Sequence, residues 1–213
     1  MGHHSALLER FSADGFIAID DVVHRADCDR LAGVLPDIVS SGSRTLLSNP
    51  AIAATADRLR EAPGLGALLA ELIPVGCTYF RKTLQHNWAV RAHRDRAVPL
   101  TGDGNWPSAG TKEGISFVQA PANFARRCIA VRLQLDSVAE ADIEVIPGSH
   151  RTDSIAARRG AVALRATQGG VVVMSPNIVH LSSRLVSAES RRVLHFLFGP
   201  VTPPFAYRWS FAS

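Results

Sequence analysis

Three side chains able to bind one metal ion stand out in this chain: His93, Asp95 and His180. Residues i and i+2 of a strand share a face, so His93 and Asp95 can reach one ion while Arg94 points away. The third ligand must come from elsewhere, and His180 follows a turn after a short apolar run. Two imidazoles and one carboxylate on one octahedral face are the ligand set of non-haem Fe(II) oxygenases. The chain holds eight histidines, so the His-x-Asp spacing alone is weak evidence and depends on further residues.

Arg191 lies eleven residues beyond His180, at the start of the apolar run 191–198. Strand alternation places Arg191 and His195 on one face and Arg192 on the other, so only one of the two arginines can face inward. A planar guanidinium pairs with a carboxylate through two hydrogen bonds, which suits the distal end of 2-oxoglutarate. Ser182 could share that carboxylate. The alternatives are a solvated arginine pair and an ordinary loop serine.

The composition is that of a globular chain with one hydrophobic core. Of its 213 residues 46% are hydrophobic, and the net charge is +4. The positive charge is dispersed and lacks interleaved aromatic residues, so we expect no nucleic-acid partner. No apolar run reaches the roughly 18 residues that span a bilayer, and three widely spaced cysteines are typical of buried thiols. We therefore expect a cytoplasmic monomer or homodimer without a membrane partner.

The order of the periodic segments predicts helices first and strands afterwards. Helical spacing covers 5–12, 26–39 and 49–72, and strand-like runs cover 16–19, 77–84, 88–93, 128–136, 143–146, 170–175 and 191–198. This order favours a mainly β fold, a double-sheet jelly roll carrying N-terminal helices. We expect one domain over 1–213, mostly helical over 1–75, with the jelly-roll core over 76–213. The segment 101–125, rich in Gly, Pro, Asn and Ser, predicts a long lid or binding loop.

Several separated motifs, in this order, resemble the phytanoyl-CoA dioxygenase family, especially its short bacterial members. The resemblance covers nearly the whole chain and is densest over 79–198. Its segments are YFRKT at 79–83, NW at 87–88, HRD at 93–95, FVQAP at 117–121, VIPGSHR at 145–151 and the stretch 180–198. Several motifs in the right order are more specific than any one of them.

This resemblance implies a double-stranded β-helix of the cupin-like type in which His93, Asp95 and His180 hold Fe(II). It also implies that Arg191, with Ser182, binds the distal carboxylate of 2-oxoglutarate. The expected reaction consumes O2, converts 2-oxoglutarate to succinate and carbon dioxide, and hydroxylates a C–H bond of a small molecule. Because position 95 is Asp, halogenation is disfavoured. Desaturation, epoxidation and cyclisation remain open.

Further side chains are candidates for binding the co-substrate or the substrate. Lys82 and Asn87 fall on family motif positions expected near the co-substrate or the substrate; the alternatives are a strand-end lysine and a turn asparagine. Candidates for the substrate pocket are Trp88, Trp106, Gln119 and His195. Each tryptophan could equally be packing, and His195 could be plain packing on the face of Arg191. His150, in the Pro-Gly-Ser-His turn, is expected to be structural.

Some positions depart from the family pattern and leave the substrate open. Arg81 stands where Asp is usual, Arg94 where Gln is usual, and 140–142 where an Asn-Gly-Pro turn is common. The family name points to an acyl thioester, yet a natural-product intermediate or an amino-acid derivative is an equal candidate. The alternative functions are a cupin-type metal-dependent dioxygenase or isomerase that does not use 2-oxoglutarate, and an inactive jelly-roll binding module.

Overall fold

The computed structural model describes residues 2–38, 42–137, 143–153, 160–186 and 190–211. Its helices are α1 (Gly2–Asp14), α2 (Arg25–Val34), α3 (Pro50–Glu61), α4 (Gly66–Leu69) and α5 (Ala122–Ala125). Its strands are β1 (Phe16–Ile19), β2 (Leu72–Lys82), β3 (Val90–His93), β4 (Ala97–Val98), β5 (Leu100–Asp103), β6 (Ser108–Lys112), β7 (Ile115–Gln119), β8 (Ile129–Gln134), β9 (Ile143–Val145), β10 (Val162–Leu164), β11 (Val171–Met174), β12 (His180–Ser182), β13 (Arg191–Pro200) and β14 (Ala206–Trp209).

Local signals set the ends of the N-terminal helices. The side chain of Asn49 accepts a hydrogen bond from the Ala51 amide at 2.9 Å, and Pro50 opens α3. Helix α2 ends earlier than predicted, because Leu35 precedes a proline and is extended, with φ −80° and ψ 142°. Residues 39–41, the end of that predicted helix and the turn after it, lie outside the described residues.

The main sheet has five antiparallel strands in the order β1-β11-β8-β13-β2. Strand β13 lies between β8 and β2. Its Leu194, Phe196 and Phe198 are buried in the largest hydrophobic cluster, together with side chains of α2, α3 and α4. Burying one such side chain contributes roughly 1.5–3 kcal/mol. The apolar face of β13 thus attaches the helices, while the alternate residues face the other way.

A second antiparallel sheet has the order β10-β9-β12-β3. A cavity of about 470 Å³ is lined by residues of both sheets, among them Val193 of β13 and Ile143 of β9. Two antiparallel sheets enclosing a cavity form a jelly roll, and the predicted fold class is confirmed. Strand β1, although within the predicted helical segment 1–75, is an edge strand of the main sheet.

The segment 101–125 was wrongly predicted as one long loop. It contains most of β5 and all of β6, β7 and α5. Strands β6 and β7 form a hairpin whose two turn residues, Glu113 and Gly114, have φ values of 51° and 78°, as a tight primed hairpin turn requires. The polar composition concealed this hairpin because its strands are largely exposed.

Strand β2 also begins earlier than predicted, at Leu72 within the segment assigned to helix. It passes through Pro74, which pairs with Phe198 next to a register shift in β13. An irregularity of this kind accommodates a residue that has no amide hydrogen to donate.

Cys28, Cys77 and Cys128 are free and buried, as predicted. Burial raises the pKa of Cys28 to about 11 and that of Cys128 to about 12. In the part of the chain that the structure describes, no helix is both long and apolar enough to cross a membrane.

Candidate metal centre

His93, Asp95 and His180 meet at one end of the second sheet. Strands β3 and β12 are neighbours, and His93 lies directly opposite His180. Asp95 follows two residues after His93, with its Oδ1 3.3 Å from His93 Nε2 and its Oδ2 3.4 Å from His180 Nε2. One ligand atom from each residue lies within 4.8 Å of the other two. Strand pairing therefore brings the predicted triad together.

Backbone carbonyls orient both imidazoles. His93 Nδ1 is 2.9 Å from the Arg91 carbonyl oxygen, and His180 Nδ1 is 3.2 Å from that of Ile178. Such contacts place the ring hydrogen on Nδ1 and leave the Nε2 lone pair for a metal. Two ligands about 2.1 Å from one ion, at a right angle, lie about 3 Å apart. Asp95 offers one oxygen to each histidine at a distance close to this, and one ligand atom from each residue lies within 4.8 Å of the other two, so the triad fits a metal ion.

The charges of the three ligands are coupled. Burial by itself would raise the pKa of Asp95, but His180 and His93 hold it well below its usual range. Burial by itself would lower the pKa of His93, whereas the hydrogen bond and charge of Asp95 raise it above the ordinary value. Asp95 is therefore ionised and ready to bind a cation, while protons compete with a metal for His93 up to a higher pH than for an ordinary histidine.

A set of hydrogen bonds fastens the loop after β3 to the loop before β12. The amide of Asp95 donates to the Pro176 carbonyl at 3.0 Å. Arg94 Nε donates to the Asn177 carbonyl at 2.8 Å, and Arg96 Nε donates to Asn177 Oδ1 at 2.7 Å. Asn177 is fully buried. These contacts keep Asp95 in place relative to the loop that leads to His180, and sequence reasoning missed them. The only signal in the local sequence was the pair Arg94 and Arg96 on either side of Asp95, at positions that strand alternation directs to the opposite face.

Two buried cations form the other end of the cavity. Lys82 and Arg191 are direct partners in the pairing of β2 and β13, and each is 4% exposed. Lys82 Nζ donates to Ser182 Oγ at 2.8 Å and Arg191 Nη2 donates to the same oxygen at 3.2 Å. Lys82 Nζ also lies 5.2 Å from the centre of the Trp88 ring. Two cations converging on one hydroxyl make a suitable place for a carboxylate.

Arg192 points to the opposite face, as strand alternation predicted. Its guanidinium donates to both carboxylate oxygens of Asp136, the shortest contact being 2.6 Å. This hydrogen bonding raises the pKa of Arg192. Only Arg191 of the pair lines the cavity.

The other candidates separate into lining and supporting residues. Trp88, Gln119 and His195 line the cavity, whereas Trp106 and Asn87 do not. Trp106 packs against Phe124 and Tyr207, with ring centres 4.8 and 5.1 Å away. Asn87 Nδ2 donates to the Leu185 carbonyl at 2.6 Å and Asn87 Oδ1 accepts from the Leu185 amide at 2.8 Å. Asn87 thus supports the chain just beyond Ser182.

His195 lies beside the triad. Its Nε2 is 3.6 Å from Asp95 Oδ2, and its Nδ1 is 3.5 Å from Arg132 Nη1. His150 lies apart from the cavity lining, with Nε2 3.1 Å from the Ser12 carbonyl, and it joins the N-terminal helix to the turn after β9.

Arg81 and Arg94, two of the residues that depart from the family pattern, are held by partners outside the triad. Arg81 forms an ion pair with Asp37. The guanidinium of Arg94 donates to backbone carbonyls, including those of Asn177 and Thr152. Residues 140–142 lie outside the described part of the chain.

Solved structures resemble this fold, although no protein-family model and no curated protein sequence matches the chain. The non-haem alpha-ketoglutarate-dependent epimerase SnoN, from nogalamycin biosynthesis, is 14% identical with a TM-score of 0.70, covering 93% of this chain and 81% of its own. HygX from Streptomyces hygroscopicus, solved with nickel and 2-oxoglutarate bound, is 15% identical with a TM-score of 0.65, covering 92% and 86%. AviO1 from Streptomyces viridochromogenes Tue57 is 20% identical with a TM-score of 0.63, covering 97% and 99%. The fold is shared at these low identities.

Proposed function

We propose that this chain is an Fe(II)- and 2-oxoglutarate-dependent oxygenase that hydroxylates a C–H bond of a small organic substrate. One observation carries the proposal: a single cavity holds the facial triad of His93, Asp95 and His180 and the buried pair of Lys82 and Arg191. The triad suits iron and leaves positions open for a co-substrate. The cation pair suits the free end of a dicarboxylate.

The chain's residues divide the work between metal and co-substrate. His93, Asp95 and His180 would hold Fe(II), which supplies the activation of O2 when bound. Arg191 would pair with the distal carboxylate of 2-oxoglutarate, with Lys82 adding charge and Ser182 a hydroxyl. Asp136 keeps Arg192 on the other face, so the second arginine does not compete for that carboxylate.

The overall reaction balances with O2 as the oxidant. 2-Oxoglutarate, O2 and the substrate R–H yield succinate, carbon dioxide and R–OH. One oxygen atom of O2 enters succinate as part of its new carboxylate, and the other enters the product. The residues of the cavity would bind and orient the two organic reactants.

We also assign the chain to the phytanoyl-CoA dioxygenase family, on the ordered motifs from YFRKT at 79–83 to the stretch 180–198. The solved structures of similar fold support the chemistry more broadly. One of them contains nickel and 2-oxoglutarate, and others are described as an epimerase and a carbocyclase that depend on alpha-ketoglutarate. We choose hydroxylation over halogenation because Asp95 occupies the third position of the triad, whereas desaturation, epoxidation and cyclisation are other outcomes open to the same site.

A cupin-type enzyme that needs no 2-oxoglutarate is the second candidate. His195 favours it, since a third histidine lies 3.6 Å from the metal-binding carboxylate. His195 does not belong to the group of ligand atoms that lie within 4.8 Å of one another. The buried pair of Lys82 and Arg191 has no role in such an enzyme.

The deciding experiment adds Fe(II), 2-oxoglutarate and O2 to the wild-type protein and measures succinate. We expect succinate to form slowly without a substrate and to require all three components. Asp95→Ala should abolish it. Failure of the Fe(II)-loaded wild type to bind 2-oxoglutarate would overturn the proposal and favour the cupin-type alternative.

A further inference from the structure

The lining of the cavity is strongly cationic. Among the described residues that line it, six are lysine or arginine, and Asp95 is the one carboxylate. The guanidinium of Arg94 is directed to backbone carbonyls, and Lys82 and Arg191 are assigned above to 2-oxoglutarate. The other three cations of the lining are Arg44, Lys112 and Arg132.

Arg44 and Arg132 lie near one aromatic ring. The guanidinium carbon of Arg132 is 5.8 Å from the centre of the Phe80 ring. Arg44 Nη1 is 3.5 Å from the Gly42 carbonyl. Gly42 in turn packs on Phe80 so closely that an added Cβ would lie 3.2 Å from the ring. Both guanidinium groups therefore border the same patch of the cavity wall.

The β6–β7 hairpin contributes the third cation, Lys112, to the cavity lining, where it is exposed. The carboxylate of Glu113, in the hairpin turn, accepts a hydrogen bond from the Arg44 amide, and the Ser43 hydroxyl lies 3.5 Å from it. Lys112 immediately precedes Glu113 and lines the cavity. Glu113 does not line the cavity, and its carboxylate instead binds the backbone amide of Arg44.

This cationic patch is one side chain away from the metal centre. His195 lies between the two, with Nδ1 3.5 Å from Arg132 Nη1 and Nε2 3.6 Å from Asp95 Oδ2. If the charged group of a substrate binds at Arg132, the carbon atoms a few bonds from that group would therefore lie beside the metal. Apolar side chains, including Phe117 and Leu197, also line the cavity and suit an uncharged body.

We propose that the substrate is a small organic anion, a carboxylate or a phosphate ester with an apolar body, whose charged group binds among Arg44, Lys112 and Arg132. The inference rests on the proposed function, because it assigns Lys82 and Arg191 to 2-oxoglutarate. Arginine recognises either anion through paired hydrogen bonds, and lysine adds a point charge.

The test uses full-length protein loaded with Fe(II) and 2-oxoglutarate without oxygen, so that the co-substrate already occupies its own site. The probes are 3-phenylpropionate, phenyl phosphate and the neutral 3-phenylpropanol. We expect at least one anion to bind about tenfold or more tightly than the alcohol. A preference for the carboxylate or for the phosphate tells which of the two the site takes.

The double variant Arg44→Gln/Arg132→Gln should lose that preference, whereas the exposed Arg208→Gln should retain it. Thermal unfolding checks the double variant, and the single Arg44→Gln replaces it if it does not fold. Equal binding of alcohol and anions, a preference that survives the substitutions, or anions that bind only by displacing 2-oxoglutarate would overturn the inference. If the protein does not bind Fe(II) and 2-oxoglutarate at all, the proposed function is overturned instead. The two failures are therefore distinguishable.

Discussion

Lys82 and Arg191 stand directly opposite each other on β2 and β13, and both donate to the hydroxyl of Ser182. Two buried cations that share one neutral acceptor repel each other in a medium of low dielectric constant. A carboxylate bound beside Ser182 would accept hydrogen bonds from both cations. This relationship links the register of the main sheet to the proposed recognition of 2-oxoglutarate.

Arg191→Gln should raise the 2-oxoglutarate concentration needed for half-maximal succinate formation. Losing a hydrogen bond to a charged group costs about 1.5–3 kcal/mol, or roughly 10- to 100-fold in affinity. The matched control is Arg192→Gln, which removes the neighbouring arginine on the opposite face and should leave the requirement unchanged. An equal effect of both substitutions would contradict the assignment of Arg191.

Lys82→Met keeps the length of the side chain and removes its charge. We expect weaker 2-oxoglutarate binding together with a smaller loss of fold stability than a polar replacement would cause, because the site is buried. Titration of the Fe(II)-loaded variant with 2-oxoglutarate measures the first effect. Unchanged affinity would restrict Lys82 to its contacts with Ser182 and Ser183.

Metal affinity should fall as the solution becomes acidic. The pKa of His93 is raised by Asp95, so a proton competes with the metal from a pH above the ordinary value of 6.5. In the metal-free protein the sign is opposite: protonated His93 beside Asp95 stabilises the fold at low pH, and this contribution is lost as the pH rises through the raised pKa. The increase in Tm on adding Co(II) should therefore be larger at pH 8 than at pH 6. A pH-independent increase would argue against His93 as a ligand.

Asn177→Ala should weaken metal binding without removing any ligand. It deletes the acceptor for Arg96 and the donor to the Ala122 carbonyl, which loosens the loop that positions Asp95. Asn49→Ala is the matched control, since it removes the cap of α3 at a cost of about 1 kcal/mol far from the triad. Comparing the metal affinities of the two variants at equal thermal stability separates the loss of loop positioning from a general loss of stability. Equal metal affinity in both variants would contradict the bracing role.

The three thiols should react slowly in the native protein. Burial keeps Cys28, Cys77 and Cys128 protonated well above their ordinary pKa of 9.0, and the thiolate is the reactive form. Iodoacetamide at pH 8, followed by mass spectrometry, should label none of them until denaturant is added. Fast labelling of one cysteine would place it in a segment that opens locally.

Local sequence determined the features whose signals extend over one to four residues. Alternation along 191–198 separated Arg191 from Arg192, and Asn49-Pro50 marked the start of α3. The His-x-Asp spacing identified two of the three candidate ligands, although β3 ends at His93 and a hydrogen bond to Pro176 holds Asp95 in the loop that follows. Such signals can be recognised in the sequence because the interactions that produce them form between residues close together in the chain.

Tertiary structure decided which distant residues meet. The opposition of Lys82 and Arg191, and that of Arg132 and His195, depends on the register between strands far apart in the chain. Contacts with Phe124 of α5 and Tyr207 of β14 assigned Trp106 to packing, although its local sequence would equally suit a pocket wall. A side chain's surroundings depend on the segments that fold over it, and pairing register is a property of the whole sheet.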